Sequence, residues 1–326
     1  MGLFKQKRKG MSPLFTEYIR VRAGSKREMG KYGTAELYEV AGRHFERFLK
    51  ERVCRLRDVT ATVIGDFHCF LQKQQLRTNS INSYMSSLRA VYNAALSEGL
   101  VSARENPFAR LRLRREVTAK RAIPTRLIRE MAELDLRKNP ELERSADLFL
   151  FSFVAFGMPF VDVVNLRKEN IEGREIVYNR HKTGTRIRIG ITAGMESLMR
   201  KYENDTPFVF PLGQERLEGP GNHGYKSLLA RHNKALGEIG ERLRPGVRLT
   251  SYVSRHTWAS EALAHHVPVS VISRAMGHSS ERTTQIYLSP LDQSELDRAN
   301  KQVTNFLETI LIRGNGTYLR NKFGLV

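Results

Sequence analysis

Residues 251–290 contain three side chains whose chemistries complement one another. Arg255, His278 and Tyr287 follow in that order, and the tyrosine stands nine positions after the histidine. A guanidinium group can hold a phosphate through two parallel hydrogen bonds, and an imidazole can carry a proton near neutral pH. A phenol, with a pKa of about 10, becomes a nucleophile where nearby cations or a base activate it. Together these groups could break a phosphodiester without a metal ion or a nucleotide.

Each of the three residues also has an ordinary structural explanation. A helical tyrosine usually packs its ring and hydrogen-bonds its hydroxyl group. A lone histidine is usually a satisfied core or surface residue, and an arginine is usually solvated. Only their order and spacing favour an active site over these alternatives.

The chain of 326 residues is strongly basic, with 54 Lys and Arg against 34 Asp and Glu and a net charge of +20. Such an excess favours a polyanionic partner, most often nucleic acid. The first 118 residues hold 23 basic and 11 acidic side chains, so most of the excess lies there. A basic run in residues 104–122 predicts a linker between domains that also contacts phosphates, and a solvated hinge is the equal alternative. The densest part of this run comprises Arg110, Arg112, Arg114, Arg115, Lys120 and Arg121.

Composition disfavours several other classes of protein. The longest apolar stretch, residues 148–157, is too short for a membrane-spanning helix, which needs about 20 residues. The basic N-terminus has no apolar segment behind it, so a secretory signal is not expected. Cys54 and Cys69 fit no metal spacing, and His265 and His266 lack a carboxylate or thiol at ligand spacing, so we expect no metal ion and no cofactor. A reducing compartment, the bacterial cytoplasm with its nucleoid, is the expected location.

The periodicity of apolar residues predicts a mainly helical chain with one small β-sheet, an α+β fold. The length exceeds the size at which single cores stop growing, so two domains are expected. Before the linker, apolar spacings and capping residues predict four helices, at 14–22, at 34–53, from 60 or 62 to 71, and from 79 or 80 to 99. After it, alternating residues 175–191, interrupted at 182–185, predict a β-hairpin. Further helices are predicted at 141–156, 160–166, 193–204, 225–243, 251–266, 268–277 and 280–288.

The reactive segment resembles the active-site signature of the tyrosine recombinases, the phage integrase family. That signature is His-x-x-Arg-His at the start of a helix, then Leu-Gly-His, then a tyrosine nine residues further on. Residues 157–166 are similar to the family's first motif, and residues 180–184 to the hairpin that carries its lysine. The matches to the signature are Arg255-His256, Gly277-His278, Thr283-Thr284-Gln285 and Tyr287.

The resemblance covers residues 12–311 and implies the family's architecture, an N-terminal SAM-like core-binding domain of four helices and a catalytic domain. The implied order is a basic arm (1–11), the core-binding domain (12–103), the basic linker (104–122), the catalytic domain (123–311) and a C-terminal tail (312–326).

The resemblance also implies a function, site-specific DNA recombination by an integrase or an invertase. Tyr287 would form a 3′-phosphotyrosyl intermediate, while Arg255 and His278 contact the scissile phosphate and Lys182 protonates the 5′-oxygen leaving group. Neither a metal ion nor ATP takes part. The implied partners are double-stranded DNA with specific target sites, further copies of the chain in a tetramer, and accessory DNA-bending proteins.

Two positions depart from the family pattern. Pro159 replaces the phosphate-binding arginine of the first motif, and it offers neither a charged side chain nor an N–H group. Tyr252 replaces the first histidine of His-x-x-Arg-His and can still donate a hydrogen bond. Arg180 precedes Lys182 by two residues, so alternation along a strand predicts that both point from one face, and we expect Arg180 to supply the missing guanidinium. The chain thus resembles the integrases of conjugative transposons that lack this arginine.

Two other functions stay open at this point. Loss of the first-motif arginine fits a catalytically impaired DNA-binding relative, although a pure binding protein has no need of Tyr287, His278, Arg255 and Lys182 together. A type IB topoisomerase would share the same chemistry, and the separate helical domain argues against it.

Overall fold

The computed structural model describes residues 12–102, 106–113, 116, 121–212, 223–278, 280–285, 300–301 and 304. The chain divides into two compact units, the first formed by residues 1–119 and 215–226 and the second by residues 120–214 and 227–326. Within the described parts of the chain, no helix combines the length and the apolar character that a membrane crossing needs.

Four helices build the first unit, which confirms the predicted helical character of this part of the chain. Thr60 caps the third helix by accepting a hydrogen bond from the N–H group of Val63, as its side chain type favours. The core is aromatic: the ring of Phe45 lies 5.3 Å from that of Phe15 and 5.1 Å from that of Phe67, both edge-on. The helices are α1 (Phe15–Glu28), α2 (Tyr32–Leu49), α3 (Ala61–Lys73) and α4 (Thr78–Ser97).

Residues 106–113 pack against this first unit, although the sequence places them in the linker. Phe108 is buried against Tyr92, with ring centroids 5.8 Å apart, and Leu111 and Leu113 also contact the core. The chain is therefore anchored by these three apolar residues, and the basic residues between them, Arg110 and Arg112, are exposed to solvent.

Glu116 is held at the first turn of α4 by three hydrogen bonds. The hydroxyl of Thr78 donates to its carboxylate at 2.6 Å, while the Asn79 amide donates to its carbonyl at 3.0 Å and accepts from its N–H group at 3.2 Å. The helix α4 begins at Thr78, one residue before the predicted range, with Arg77 at its N-cap, so Asn79 lies in its first turn and does not cap it.

The second unit is also mainly helical, and most of its helices lie where the sequence predicts them. The exception is α5, which was not predicted. It follows Pro124 and the basic run directly, and its nine residues are too few to show a clear apolar periodicity. Asn139 caps α6 by accepting from the N–H group of Leu142, with Pro140 in the first turn. The helices are α5 (Thr125–Glu133), α6 (Pro140–Val154), α7 (Phe160–Val164), α8 (Ala193–Lys201), α9 (His223–Leu243, most of it in this unit), α10 (Ser251–Ala264), α11 (Val269–Ala275) and α12 (Glu281–Gln285).

Three antiparallel strands, β1 (Ile171–Glu172), β2 (Glu175–Asn179) and β3 (Arg186–Gly190), form the sheet in that order. The β2–β3 pair confirms the predicted hairpin. In β3 the isoleucines are buried and the arginines are exposed, which is the alternation expected of a sheet with one packed face. The strand β1 was not predicted, because two residues are too few to show a periodicity.

Candidate active site

Arg255 lies at the start of the second turn of α10 and is 2 % exposed. Its guanidinium group donates hydrogen bonds to the carbonyl oxygens of Gly157, at 2.8 Å, and Met276, at 2.7 Å. The nitrogen Nη2 also lies 2.9 Å from Nε2 of His278. Because a buried cation is costly unless it is hydrogen-bonded, these contacts fix the guanidinium in place.

The position of Arg255 depends on a close approach between α10 and the turn after α6. The hydroxyl groups of Ser152 on α6 and Ser254 on α10 are 2.7 Å apart, and Ser152 donates to the carbonyl of Met158 at 2.7 Å. Gly157 has a φ of +64°, and a Cβ there would lie 2.7 Å from the Cα of Arg255. A glycine is therefore required in this first-motif turn.

Arg180 follows β2 and is buried, with its Nη1 donating to the carbonyl oxygen of Gly277 at 2.8 Å. Gly277 also has a φ of +64°, and a Cβ on it would lie 2.7 Å from Ile187 and 3.1 Å from the Cδ of Arg180. Arg180 and Arg255 thus bind neighbouring carbonyls of one turn, residues 276–278, which we call the arginine turn.

Lys182 lies at the tip of the hairpin and is exposed. The strand β2 ends at Asn179, and the chain then closes a tight turn in which Arg180 bonds Thr185 and Gly184 through its main chain. The expectation that Arg180 and Lys182 share one face of a strand is therefore wrong, because neither residue lies in the strand. The side chain of Arg180 is buried beside the arginine turn, and that of Lys182 is exposed at the hairpin tip.

Asp162, in α7, is a buried acid of the site that the sequence analysis missed. Its Oδ1 accepts a hydrogen bond from the N–H group of His181 at 2.9 Å. Burial raises the pKa of this carboxyl, and the charges of Arg180 and Arg255 act to lower it. An acid in the otherwise apolar segment of residues 160–164 was the available signal, since such a group is rarely buried without a cationic neighbour.

His278 connects Arg255 to α12. Its Nδ1 lies 2.8 Å from the hydroxyl oxygen of Thr284, which is fully buried. Burial lowers the pKa of His278 to about 3, with further lowering from the charges of Arg255, Arg180 and Lys182. His278 is therefore a neutral imidazole at neutral pH.

Tyr252 lies on α10 and is 41 % exposed. Its ring meets that of His256 edge-on, 4.8 Å between centroids, and the guanidinium of Arg121 lies 5.9 Å from its centroid. Burial, followed by the charges of Arg121 and Arg255, lowers the pKa of His256 to about 4. Tyr252 thus belongs to a cluster with His256 and Arg121.

The remaining predicted residues are distributed between exposed positions and parts of the chain outside the described residues. Arg110 and Arg112 are exposed on the first unit, and Arg121 is exposed at the start of the second. Among the described residues, no three His, Cys, Asp or Glu side chains are placed to hold a metal ion. Tyr287, Arg114, Arg115 and Lys120 lie outside the described residues.

Comparison with known families accounts for both units. The sequence model of the phage integrase SAM-like domain matches residues 14–113, and that of the phage integrase family matches residues 127–294. The chain therefore belongs to the phage integrase family, the tyrosine-type site-specific recombinases. This confirms the resemblance seen in the sequence and the fold class that it implies.

Individual relatives are distant but match along most of their length. A tyrosine recombinase of Pseudothermotoga lettingae is 25% identical over 266 residues, which covers 79% of this chain and 88% of that protein. Tyrosine recombinase XerC of Bacillus licheniformis is 24% identical over 295 residues, covering 86% and 91%.

Two solved structures share the fold. The Tn1549 transposon integrase in complex with a circular intermediate DNA has a TM-score of 0.61 at 16% identity, covering 88% of this chain and 100% of that one. A lambda integrase tetramer bound to a Holliday junction has a TM-score of 0.60 at 15% identity, covering 86% and 78%.

Proposed function

We propose that this site-specific recombinase cuts and rejoins DNA with Tyr287 as its nucleophile. The observation that carries the assignment is that Arg180 and Arg255 converge on the arginine turn, which itself supplies His278 beside Arg255. Two guanidinium groups beside one imidazole form a strongly cationic pocket in which a phosphoryl group would be held and its developing charge stabilised. The spacing of Tyr287 from His278 supports the choice of nucleophile.

The reaction would proceed by two transesterifications. The phenolic oxygen of Tyr287 bonds to phosphorus, the bond to the 5′-oxygen breaks, and a 3′-phosphotyrosyl ester keeps the energy needed for rejoining. Lys182 would protonate the leaving 5′-oxygen, and its exposed place at the hairpin tip gives it the reach to do so. Arg255 has five N–H donors in a planar fork, so it can bind a phosphate while keeping a carbonyl contact.

Arg180 would replace the arginine that Pro159 displaces from the first motif. Its guanidinium is buried and bonds the main-chain carbonyl next to the one that Arg255 binds. A second arginine at this place gives the phosphate two clamps even though the first motif supplies none.

The DNA partner and the assembly follow from the charge and from the relatives. The exposed Arg110 and Arg112, with Arg114, Arg115, Lys120 and Arg121, would contact backbone phosphates of duplex DNA. A lambda integrase of the same fold is a tetramer on a Holliday junction, and we extend that assembly to this chain. The same proposal divides the chain into a core-binding domain (12–103) and a catalytic domain (123–311). It also includes a tetramer on specific DNA sites, help from DNA-bending proteins and action at the bacterial nucleoid.

One experiment tests the nucleophile. Binding selection from a randomised duplex pool yields the preferred target, which is then synthesised with a nick that traps the cleaved product. The full-length protein should form a covalent adduct with this DNA on a denaturing gel, and Tyr287→Phe should form none.

Each alternative has its own outcome in this assay. Tight binding without any adduct would reject the enzyme and leave the DNA-binding relative that Pro159 first suggested. An adduct without strand exchange between two target duplexes, combined with relaxation of supercoiled plasmid, would identify a topoisomerase instead.

A further inference from the structure

Glu116 is an acidic residue within the basic run of residues 104–122, where a negative charge opposes the binding of DNA phosphates. Its carboxylate accepts a hydrogen bond from the hydroxyl of Thr78 at 2.6 Å. Thr78 is the first residue of α4, so this carboxylate lies near the positive end of the dipole of a 20-residue helix. The contact with α4 therefore stabilises an acid in a run whose other charges favour DNA.

Asn79 binds the main chain of the same residue. Its Nδ2 donates to the carbonyl oxygen of Glu116 at 3.0 Å, and its Oδ1 accepts from the N–H group of Glu116 at 3.2 Å. One amide side chain thus satisfies both main-chain polar groups of Glu116 and fixes their orientation. We call the contacts of Thr78 and Asn79 with Glu116 the clamp.

A second contact holds the chain further along α4. The Asn106 amide donates to Oδ1 of Asn93 at 3.1 Å. Asn79 and Asn93 are 14 positions apart, which is close to four helical turns, so they lie on one face of α4 about 21 Å from each other. Residues 106–113 and Glu116, which we call the strap, are therefore attached to this face at both ends.

Between its two ends the strap has an apolar side and a cationic side. Phe108, Leu111 and Leu113 pack against the core of the first unit. Arg110 and Arg112 are exposed. Because the main chain around the two arginines is already ordered, they would lose little conformational freedom on binding phosphate.

We propose that Asn79 is a positioning residue for DNA binding, which with Glu116 clamps the strap on α4 so that Arg110 and Arg112 meet the backbone phosphates as a preorganised pair. This inference rests on the DNA contact proposed above for these two arginines and adds the device that orients them. A strap released from α4 would have to be ordered again each time DNA binds, and that cost would lower the affinity. The clamp therefore stays closed in the complex.

Charge and clamp predict opposite effects for Glu116→Ala. Loss of a negative charge alone should strengthen the binding of duplex DNA by the full-length protein. Loss of the carboxylate that holds Thr78 should loosen the strap, and we expect binding about 3-fold weaker. Glu51→Ala removes an exposed acid after α2 and is matched in charge, so it should bind DNA at least as tightly as the unaltered protein. Fluorescence anisotropy with a labelled duplex of mixed sequence measures these affinities, and tighter binding by Glu116→Ala would overturn the proposal.

A double-mutant cycle separates positioning from direct contact with DNA. Asn79→Ala should weaken binding about 5-fold, and its effect should be smaller in the Arg110→Ala/Arg112→Ala background, because the groups that it positions are gone. Ser83→Ala is the control in the next turn of α4, since its hydroxyl donates within the helix to the Asn79 carbonyl at 2.9 Å, and it should bind normally. Additive effects would mean that Asn79 contacts DNA itself and would contradict the proposal.

Hydrogen exchange followed by NMR tests the clamp directly. The N–H group of Glu116 should exchange slowly in the unaltered protein and rapidly in Asn79→Ala, while that of Leu88, buried in α4, stays protected in both. Loss of protection at Leu88 as well would assign Asn79 a merely structural role in the helix. DNA should slow the exchange at Glu116 further, and faster exchange on DNA binding would show that the strap leaves α4 and overturn the proposal.

The two proposals fail differently. If the unaltered protein binds DNA and forms no covalent adduct, the proposed nucleophile is wrong, while the affinities still test the clamp. If Arg110→Ala/Arg112→Ala binds DNA as well as the unaltered protein, the proposed DNA contact of the strap is wrong. If that double variant binds weakly and Asn79→Ala binds normally, the proposed function stands and only the clamp is contradicted.

Discussion

Arg180 and Arg255 come from distant parts of the chain and bind adjacent main-chain carbonyls. The first is buried between the hairpin and the arginine turn, and the second between α10, the turn after α6 and the arginine turn. Both guanidinium groups are held by uncharged main-chain carbonyls, and their charges also act on the buried carboxyl of Asp162. Cations preorganised in this way can stabilise the developing charge of a bound phosphate.

Removing Arg180 should slow DNA cleavage. Arg180→Ala is expected to lower the rate of covalent adduct formation on nicked target DNA by roughly 100- to 1000-fold, the usual effect of losing one preorganised donor. Arg180→Lys keeps the charge and loses the planar fork, so its cleavage rate should lie between those of the unaltered protein and Arg180→Ala. The rate is followed by single-turnover gel assays.

A matched control is available in the same hairpin. Arg188 is exposed and pairs with Glu175, so Arg188→Ala should cleave at nearly the unaltered rate. Unimpaired cleavage by Arg180→Ala would show that Arg180 contacts only flanking phosphate.

Individual site residues were predictable to different degrees. Arg255 and His278 were identified from spacing, and the structure brings them within hydrogen-bonding distance; their roles stay predictions. The placement of Arg180 relative to Lys182 was wrong, since a strand ending at 179 removes the alternation on which it depended. Asp162 was missed because its significance lies in contacts with residues 18 or more positions away, which no local pattern encodes.

At the scale of elements, the arginine turn is the feature that organises the site. It connects α11 to α12 and presents two carbonyls to two arginines from other elements. The turn requires a glycine at 277 both for its positive φ and for the close approach of the hairpin. This gives a physical reason for the Gly-His pair of the sequence signature.

Substitution of this glycine should separate backbone strain from crowding. Gly277→Ala adds a Cβ 2.7 Å from Ile187 and 3.1 Å from Arg180, whereas Gly184→Ala, also at positive φ, meets no atom within 4 Å. Both variants carry the strain of about 1–2 kcal/mol for an alanine at positive φ. Gly277→Ala should lose about 1–3 kcal/mol more through overpacking, and its cleavage rate should fall.

Trp258, the single tryptophan of the chain, lies on α10 and reports on unfolding of the second unit. Urea titrations followed by its fluorescence measure the free energy of unfolding of both glycine variants. Equal losses of unfolding free energy in Gly277→Ala and Gly184→Ala would mean that crowding at Gly277 does not destabilise the second unit.

The prediction of elements succeeded where periodicity was long and failed where it was short. The four helices of the first unit and the β2–β3 hairpin carry regular apolar patterns over several turns or residue pairs. The helix α5 and the strand β1 do not, because they have only nine and two residues. Residues 106–113 were assigned to the linker from the basic run, the helix-stopping Asn106-Pro107 pair and Pro124, while the buried Phe108 belongs to the core of the first unit.

For the whole molecule, the net charge of +20 should make DNA binding strongly dependent on salt. Each phosphate neutralised releases condensed counterions, so the logarithm of affinity falls with the logarithm of salt concentration by about 0.9 per contact. Exposed Arg110 and Arg112 are well placed for such contacts because their neighbours Phe108 and Leu111 anchor the chain.

The double variant Arg110→Ala/Arg112→Ala should weaken binding to all sequences and reduce this slope by about two. Fluorescence anisotropy over a range of salt concentrations measures it. Arg137→Ala is the control, since Arg137 is already paired with Asp135 at 2.9 Å. An unchanged slope in the double variant would remove these two residues from the DNA interface.

Three histidines should make the second unit sensitive to acid. Burial is the main cause that lowers the pKa of His232 to about 3, of His256 to about 4 and of His278 to about 3. In the unfolded chain a histidine titrates near about 6.5, so below that pH the unfolded state binds more protons. The stability that these neutral histidines contribute is therefore fully present above pH about 6.5. It is lost as the pH drops below about 6.5 toward their pKa values in the folded state.

Urea midpoints from Trp258 fluorescence should accordingly be lower at pH 5 than at pH 7.5. His232 stacks on Phe160 with centroids 4.1 Å apart and has no part in the proposed chemistry, so His232→Gln should reduce the difference. His265→Gln, at an exposed position, should leave it unchanged. Identical midpoints at the two pH values would contradict the assignment of buried neutral imidazoles.

The acceptors of both arginines are main-chain carbonyls, and this has a consequence for how the sequence can evolve. A carbonyl belongs to every residue, so no substitution at 157, 276 or 277 deletes the acceptor itself. Substitutions at these positions can break the contacts only by moving the backbone. Gly157 and Gly277 are the positions at which a side chain would force such a movement. In a library of all single substitutions selected for recombination, positions 157 and 277 should therefore tolerate as little change as position 255, while Met276 accepts other apolar residues.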